Sequence, residues 1–310
     1  MRLTFGDNCL NANRSRKLES SASHLWAVLL AGGDGVSRAH PKYYGEDLRN
    51  AGDSHVIEQP LNRGTGIAII LALLRILQRD PDAVVALFPC DHFYADDDSF
   101  RLTIQSAVGC AEQNPESIIL VGADAEYPEV DYGWVEPGAV VSEATAGPLA
   151  RVCRFWEKPA LHEAFALLRR GCLWNTFVTV GRATTCLEMS CSQVPEAVLA
   201  ISRAMADNAL DAAYAELDTV DFSRAVLANL PHRLLVLRDQ TSGWADLGSP
   251  ARVLETLSRN GIQPEWATER DYVFDHQQAI GEHHANTARQ LFDCLPHLEI
   301  DARRQWRAGR

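Results

Sequence analysis

Six short apolar runs constrain the fold of this chain more than any other feature of its sequence. Each run has the length of a buried strand and is too short to be a buried helix. The runs occupy residues 25–31, 84–88, 117–121, 151–156, 177–180 and 234–237. The first run is unbroken and stops at Gly32 and Gly33, which predicts a strand buried on both faces of a parallel sheet.

Helical patterns lie between several of these runs. They occupy residues 66–78, 99–112, 161–170 and 194–229. A last helix is predicted over residues 250–259, with Ser249 as its N-cap and Gly261 just past its end. Because strands alternate with helices, the sequence predicts an α/β fold with a largely parallel sheet.

The charge and the cysteines restrict the class of protein. The net charge is −12, and an acidic surface of this kind does not suit a nucleic-acid or anionic-membrane partner. Nucleotides remain acceptable ligands, because backbone dipoles and a metal ion can hold phosphate. The eight cysteines form no Cys-x-x-Cys pair, so we expect buried free thiols in a reducing compartment, and a cytoplasmic protein. A homo-oligomer stays open at this point.

Three segments are expected along the chain. Residues 1–23 are polar and lack periodicity, which predicts a disordered leader. Residues 24–266 hold the strand and helix patterns and form the main domain. Residues 267–310 are rich in His, Gln and Arg, and we expect a helical appendage with a loose tail. The apolar run at 25–31 is too short to be a signal peptide or a membrane span.

Two apolar runs end in residues that suit a phosphate or a metal ion. Residues 30–35, Leu-Ala-Gly-Gly-Asp-Gly, form a glycine loop whose N–H groups can face a phosphate, although a plain strand-to-helix turn explains it equally well. Residues 87–92, Leu-Phe-Pro-Cys-Asp-His, place Asp91 at the end of a strand. One such carboxylate suits Mg²⁺ when phosphates complete its ligands. The alternative is that Asp91 caps the next turn.

Three further motifs add polar groups. They are Phe-Trp-Glu-Lys-Pro at 155–159, Cys-Leu-Trp-Asn-Thr at 172–176 and Gly-Trp-Ala-Asp-Leu-Gly-Ser at 243–249. A carboxylate such as Glu157 can accept hydrogen bonds from sugar hydroxyls, and Lys158 can meet a phosphate. Taken singly, each motif is more often structural, for example a surface ion pair before a helix that starts with proline.

In this order the motifs resemble those of bacterial mannose-1-phosphate guanylyltransferases, which are sugar-1-phosphate nucleotidyltransferases. The resemblance covers roughly residues 24–262 and is collinear. It also includes Glu-Gln-Pro-Leu-Asn-Arg-Gly-Thr at 58–65 and Tyr-Gly-Trp-Val at 132–135. It implies a Rossmann-like nucleotidyltransferase fold, with a mostly parallel mixed sheet flanked by helices.

The resemblance also implies a role for each matching residue. The triphosphate and base would lie against Gly32, Gly33 and Gly35, and the guanosine against Asn62 and Thr65. Mg²⁺ would be held by Asp91 and Asp246, and the mannose by Gly133, Glu157 and Asn175. Lys158 would meet the phosphate of mannose-1-phosphate. The implied reaction is attack of that phosphate on the α-phosphorus of GTP, which releases pyrophosphate and forms GDP-mannose or a related sugar nucleotide. The catalytic residues would be Asp91, Lys158 and Asp246.

The chain departs from the family pattern between Gly35 and residue 57. The family loop continues Gly-Thr-Arg-Leu and later reaches Pro-Lys-Gln-Phe, with a helix and a strand before the Glu-Pro segment. Two alignments are open: Pro41-Lys42 is the Pro-Lys pair of a shortened loop, or residues 36–40 are the end of the family's second strand fused onto the glycine loop. We favour the second, in which one βα segment and the signature Arg and Lys are missing and Arg38 and Lys42 only look like them. The alternative function is then a catalytically impaired remnant that binds sugar phosphate or nucleotide without turnover.

One expectation concerns geometry. Asp91 and Asp246 are far apart in the sequence, yet each follows an element that we expect to end at the same edge of the sheet. Two adjacent carboxylates repel unless a cation lies between them, which favours a shared Mg²⁺ site. The alternative is that Asp246 caps the helix at 250–259 and never meets Asp91.

Overall fold

The computed structural model describes residues 24–30 and 57–262. Within them the strands are β1 (Leu25–Leu30), β2 (Val84–Pro89), β3 (His92–Phe93), β4 (Ile118–Asp124), β5 (Gly133–Ala144), β6 (Gly147–Glu157), β7 (Leu173–Arg182), β8 (Leu234–Asp239) and β9 (Ala245–Asp246). The α-helices are α1 (Gly64–Leu77), α2 (Asp97–Gln113), α3 (Leu161–Arg169), α4 (Ala183–Gln193), α5 (Pro195–Ala206), α6 (Leu210–Glu216), α7 (Phe222–Ala225) and α8 (Pro250–Arg259). Two 3₁₀ turns lie at Leu227–Asn229 and Pro231–Arg233.

The predicted α/β fold with a mixed sheet flanked by helices is confirmed. Each of the six apolar runs overlaps a strand, and the helical patterns correspond to α1, α2, α3, α5–α7 and α8. Ser249 is the N-cap of α8, because its Oγ accepts a hydrogen bond from the Arg252 N–H at 3.4 Å. Gly261 follows α8 with a φ of +64°, a conformation that glycine adopts without strain. Sequence reasoning missed β5 and α4, whose patterns are weaker.

The described chain divides into two compact units. The first contains described residues up to Phe88 together with 108–118 and 179–222. Its strand order is β1-β2-β7, and β2 pairs antiparallel with the C-terminal half of β7, Val85 opposite Gly181. The core beside α1, α5 and α6 is apolar and includes Ile67, Ile70, Leu71, Val198, Ile201 and Tyr214.

Strand β1 corrects one prediction. It is a strand, but it is not buried on both faces: Leu25 is 43% exposed and Leu29 is 66% exposed. Exposure alternates along β1, so at most one of its faces is covered. Within the described residues β1 is also the end of its strand order and pairs only with β2. An apolar run therefore predicts a strand here but does not predict burial of both of its faces.

The second unit contains residues 89–107, 119–178 and the described part of 223–310. Its strand order is β7-β4-β8-β6-β5, and β5 also pairs antiparallel with the N-terminal half of β7. β5 and β8 both run antiparallel to β6. The short strands β3 and β9 form a separate antiparallel pair. An aromatic core that includes Tyr132, Trp134 and Trp174 lies beside α3.

The cysteine prediction is only half right. The six described cysteines are free thiols, as expected, and Cys110, Cys172 and Cys186 are buried. Cys90, Cys153 and Cys191 are exposed instead. The expectation of burial fails because an apolar neighbourhood in sequence does not fix which face of a strand or helix a side chain takes.

Several predictions fall on residues that the structure does not describe. These are the leader at 1–23, the shortened segment at 36–56 and the appendage at 267–310, which all lie outside the described residues. The boundaries of the domain at 24–266 stay a prediction. In the part of the chain that is described, no helix is long and apolar enough to span a membrane.

The first unit contains a buried hydroxyl that can be removed as a test. Tyr214 is fully buried, and its hydroxyl has no hydrogen-bond partner among the described residues. Burial raises the pKa of this phenol. We expect Tyr214→Phe to leave the free energy of unfolding unchanged or to raise it by about 1 kcal/mol, because an unpaired buried hydroxyl is destabilising.

Thermal and urea unfolding measure this change. Ile201→Ala, in the same apolar core, is the control and should lower the stability by about 2–5 kcal/mol through the cavity it leaves. A Tyr214→Phe variant that loses more than about 1 kcal/mol would show that the hydroxyl is satisfied after all.

Asp80 anchors β1 and makes this strand sensitive to acid. The Asp80 carboxylate accepts a hydrogen bond from Trp26 Nε1 at 2.9 Å and lies 2.7 Å from His24 Nδ1. The Trp26 hydrogen bond is the main reason that the pKa of Asp80 is lowered from its usual 3.8. A lowered pKa means that Asp80 stabilises the folded state above pH 3.8 and loses this contribution as the pH falls towards the folded-state value.

We therefore expect the backbone amides of β1 to lose protection from hydrogen exchange as the pH falls from about 5 to about 3. Asp80→Asn should lower this protection already at neutral pH and remove its dependence on pH in that range. The prediction is wrong if the variant and the parent show the same pH profile.

Candidate functional site

Three residues from three strands form a row in the second unit. Gly133 on β5 lies opposite Glu157 on β6. The pairing of Trp134 with Trp174 places Gly133 next to Asn175 on β7. Residues directly opposite each other in antiparallel strands share a face of the sheet. The structure thus brings together Glu157, Gly133 and Asn175, the three residues that the sequence predicted for the sugar.

The row leaves no room for a side chain at its centre. A Cβ atom added to Gly133 would lie 2.9 Å from Glu157 Oε2 and 3.2 Å from the Asn175 Cβ. Such distances are shorter than ordinary contacts, so any larger residue would displace its neighbours. The glycine therefore lets the Glu157 carboxylate and the Asn175 side chain lie close to the same buried backbone, beside the ring of Phe155.

Asn175 is oriented by an irregularity in its own strand. Its Oδ1 accepts a hydrogen bond from the Phe177 N–H at 3.2 Å. Phe177 has a φ of +63°, which is strained for a bulky residue, and the neighbouring Thr176 hydroxyl donates to the Val121 carbonyl at 2.7 Å. This bond uses one of the two lone pairs of the Asn175 side-chain oxygen, and the Nδ2 group is a donor.

The other face of the same strands is aromatic. Trp156, Trp134 and Trp174 are directly paired across β6, β5 and β7. Trp134 is fully buried, and its Nε1 donates to the Glu129 carbonyl at 2.8 Å. Aromatic packing on this face holds the three strands in register and supports the polar row on the opposite face.

Lys158 follows Glu157 with an unusual backbone. Its φ is +51°, which is rare outside glycine, and it precedes Pro159. Its N–H donates to the Tyr132 carbonyl at 3.2 Å, which holds this turn against the strand that carries the glycine. The Lys158 side chain is exposed. β6 ends at Glu157, and the turn places Lys158 just beyond the strand, where it is exposed.

The pair of short strands joins the two predicted metal ligands at the level of the backbone. His92 lies opposite Asp246, and the Leu247 N–H donates to the Asp91 carbonyl at 2.8 Å. Asp91 is therefore directly opposite Leu247, and His92 is the residue directly opposite Asp246. Sequence spacing alone could not supply this register, because it depends on how two distant loops pair.

His92 is a neutral hydrogen-bonding neighbour in this pair. Trp244 Nε1 donates to His92 Nδ1 at 2.9 Å, so the neutral ring carries its proton on Nε2. Nε2 lies 4.0 Å from Asp246 Oδ2. Burial lowers the pKa of His92 to about 4, although the charges of Asp91 and Asp246 oppose this shift. His92 is thus uncharged at neutral pH.

An arginine that sequence reasoning missed contacts Asp246. Arg252 Nη1 lies 3.0 Å from Asp246 Oδ1, and its Nη2 lies 3.3 Å from Asp131 Oδ2 and 3.5 Å from Glu129 Oε2. Its guanidinium carbon also lies 4.6 Å from the centre of the Tyr132 ring. The alternative in which Asp246 caps α8 is wrong, because the N-cap is Ser249 and Asp246 instead binds the side chain of Arg252 in the first turn.

A cavity of about 130 Å³ lies beside this arginine in the second unit. Tyr127, Tyr132, Trp174 and Trp244 supply aromatic walls, while Asp246 and Arg252 supply charges. Because Trp174 belongs to the aromatic face of the strands, this cavity is distinct from the row of Glu157, Gly133 and Asn175.

The predicted nucleotide-binding residues of the first unit make structural contacts. Asn62 Oδ1 accepts from the Gly64 N–H at 3.1 Å, and Thr65 Oγ1 accepts from the Phe222 N–H at 3.0 Å. A Cβ at Gly64, whose φ is +81°, would lie 2.5 Å from the Val220 carbonyl oxygen. These contacts attach the start of α1 to the segment before α7. Gly32, Gly33 and Gly35 lie outside the described residues.

No group of three or more His, Cys, Asp or Glu side chains is arranged to hold a metal ion within residues 24–30 and 57–262. A site built from two carboxylates and substrate phosphates needs no such group. The donors available near the β3–β9 pair are Asp91 and Asp246, both of which act electrostatically on His92.

Known proteins share both the sequence pattern and the fold. The model of the nucleotidyl transferase family matches residues 36–260. Mannose-1-phosphate guanylyltransferase ManC of Salmonella typhimurium is 27% identical over 243 residues, covering 75% of this chain and 50% of the relative. Mannose-1-phosphate guanylyltransferase of Escherichia coli K12 is 29% identical over 251 residues, covering 74% of this chain and 51% of the relative. The chain therefore spans about half the length of these curated relatives.

Two solved structures have the same fold. Mannose-1-phosphate geranyltransferase from Thermus thermophilus superposes with a TM-score of 0.66 at 22% identity, covering 78% of this chain and 80% of that one. Mannose-6-phosphate isomerase from Helicobacter pylori gives a TM-score of 0.58 at 18% identity, covering 74% and 88%. Because the family model matches well over half of the sequence and the observed fold agrees with it, the chain belongs to the nucleotidyl transferase family.

Proposed function

We propose that this protein is a nucleotidyltransferase that forms GDP-mannose, or a related sugar nucleotide, and pyrophosphate from GTP and mannose-1-phosphate with Mg²⁺. The proposal includes a cytoplasmic location and no nucleic-acid or membrane partner. The mannose-1-phosphate guanylyltransferases among the relatives support the choice of sugar and nucleotide.

The row of Glu157, Gly133 and Asn175 is the observation that carries the proposal. It offers carboxylate acceptors, an amide donor and a glycine backbone at neighbouring positions of three paired strands. A hexose presents neighbouring hydroxyl groups that both donate and accept, so this combination matches a sugar ring. Lys158, which follows Glu157 directly and has an exposed side chain, would meet the sugar's phosphate.

The residues near β3 and β9 fit a magnesium ion. Asp246 Oδ1 accepts from the Gly248 N–H at 2.6 Å and from Arg252, whereas Oδ2 is the oxygen on the side of His92. Asp91 is exposed beside the same backbone pair. Mg²⁺ prefers one or two carboxylates of this kind. When bound, the ion would supply the positive charge that offsets phosphate charge during transfer.

The chain's own residues would act mainly by binding and positioning. Glu157 and Asn175 would fix the sugar ring, and Lys158 would neutralise the attacking phosphate. No covalent intermediate is needed, because alignment of the attacking oxygen with the α-phosphorus and charge neutralisation supply the rate. In the first unit, Asn62 and Thr65 would contribute to guanosine binding from the start of α1.

The second candidate is a remnant that binds sugar phosphate or nucleotide without turnover. One sequence observation favours it: no Thr-Arg pair follows Gly35, and the stretch up to residue 57 is too short for the family's helix and strand. The sugar row and both carboxylates all lie in the second unit, whose residues begin at Pro89. Binding of sugar phosphate would therefore survive even where catalysis is lost.

Pyrophosphate release distinguishes these two functions. With GTP, mannose-1-phosphate and Mg²⁺, the purified protein should release pyrophosphate if it is the enzyme. Asp91→Asn and Asp246→Asn should each lower this rate by at least about 100-fold, since each removes charge from the transfer site. Calorimetric binding of mannose-1-phosphate without any pyrophosphate would support the remnant. Full activity in both variants would contradict the metal site.

Gly133→Ala tests the sugar row separately. The added methyl group would push Glu157 and Asn175 apart, because it would lie within 2.9 Å of the Glu157 carboxylate. We expect the affinity for mannose-1-phosphate to fall by about tenfold or more, which is the loss of roughly one good hydrogen bond to a charged group. Isothermal calorimetry measures this affinity.

Gly109→Ala is the matched control for this substitution. Gly109 lies in α2 with open space around its Cβ position, so the variant should bind as the parent does. Equal affinity in Gly133→Ala and Gly109→Ala would show that the sugar binds elsewhere.

A further inference from the structure

Arg252 lies at the centre of a group of acidic side chains in the second unit. Its two terminal nitrogens face Asp246 on one side and Asp131 and Glu129 on the other. The guanidinium group is also stacked over the Tyr132 ring, and its side chain is only 19% exposed. Such a fork, fixed at several points, positions its partners more strictly than a surface ion pair does.

The contacts of Asp246 are divided between its two oxygens. Oδ1 receives both the Arg252 guanidinium and the Gly248 N–H, at 3.0 Å and 2.6 Å. Oδ2 lies on the side of His92 Nε2, 4.0 Å away and beyond hydrogen-bond distance. One oxygen is therefore held by Arg252 and the Gly248 N–H, while the other faces the ring of His92, the residue paired with Asp246 across β3 and β9.

We propose that Arg252 is a positioning residue for the metal site: it holds Asp246 by Oδ1 so that Oδ2 is presented to the cation. The proposal rests on the function proposed above. Hydrogen bonds to the outer atom of a metal-binding carboxylate fix its rotamer, and their loss weakens metal affinity by about 10- to 100-fold. The gain in metal affinity from a fixed Asp246 carboxylate has to exceed the loss caused by charge repulsion between the Arg252 guanidinium and the cation. Solvent weakens this repulsion at a partly exposed position.

Arg252 has a second, structural role that the test must separate from the first. Glu129 is 2% exposed, and its Oε1 already accepts from the N–H groups of Val130 and Asp131 at 2.8 Å and 2.9 Å. Its other oxygen faces Arg252. Removing the arginine alone would leave a buried carboxylate without its cation, which destabilises a fold strongly.

The experiment therefore uses a single and a double variant. Arg252→Met removes the guanidinium group but keeps the apolar stem. Arg252→Met combined with Glu129→Gln also removes the buried charge, and the glutamine oxygen can still accept from the two backbone N–H groups. Arg259→Met is the matched control, because Arg259 lies on the same helix α8 and pairs with Glu126 and Glu255 instead.

Mn²⁺ binding without substrates, followed by electron paramagnetic resonance, is the main measurement, since Mn²⁺ accepts the same oxygen ligands as Mg²⁺. We expect Arg252→Met and the double variant to bind Mn²⁺ about tenfold more weakly than the parent or worse. Arg259→Met should bind as the parent does. The double variant should recover thermal stability that Arg252→Met loses, without recovering Mn²⁺ affinity. Arg252→Lys, which can reach only one partner at a time, should restore affinity in part.

Three other results would overturn the proposal. If the parent and Arg252→Met bind Mn²⁺ equally, Arg252 does not position Asp246. The metal site proposed at Asp91 and Asp246 is not contradicted by that result. If the double variant regains both stability and affinity, the arginine acts only by compensating Glu129. If neither the parent nor any variant binds Mn²⁺, the metal site proposed above fails, and the role of Arg252 fails with it.

Discussion

The close approach of three strands at Gly133 is the constraint on which the polar row depends. β6, β5 and β7 pair directly at this point, and the absence of a Cβ lets the Glu157 carboxylate and the Asn175 side chain approach the same backbone. Tryptophans paired on the opposite face fix the register, so the polar row cannot slide without disrupting a buried aromatic layer. The packed tryptophan face of β5, β6 and β7 thus determines where Glu157, Gly133 and Asn175 lie on the opposite face.

In the second unit, the compensation of a buried charge is the other feature that organises the site. Glu129 is buried and is held by two backbone N–H groups on one oxygen, which leaves its other oxygen to Arg252. The same guanidinium reaches Asp246, so a residue needed to balance a buried charge also contacts a residue predicted to bind metal. Stability and site geometry are coupled here through one side chain, and a single substitution would change both.

The family motifs of the two units differ in the contacts that their residues make. In the first, Asn62 and Thr65 make hydrogen bonds that attach the start of α1 to the chain near Val220 and Phe222, which gives the Asn-Arg-Gly-Thr pattern a structural explanation. In the second, Gly133, Glu157 and Asn175 are brought together on three paired strands, although the Asn175 oxygen also accepts from the Phe177 N–H. A motif match therefore means more in the second unit than in the first.

The sequence by itself determined the α/β class, the positions of six of the nine described strands and the ends of α8, because these follow from local patterns: apolar runs, helical periodicity and a Ser–Gly pair of caps. It also identified Gly133, Glu157 and Asn175, but only through collinear motifs and without their distances. Only the tertiary structure decided that these three are adjacent, that β1 has exposed side chains and ends the strand order of the described residues, and that Arg252 contacts Asp246. The physical reason is that each of these facts depends on which strands pair and in which register, and strand pairing joins residues that are distant in the chain.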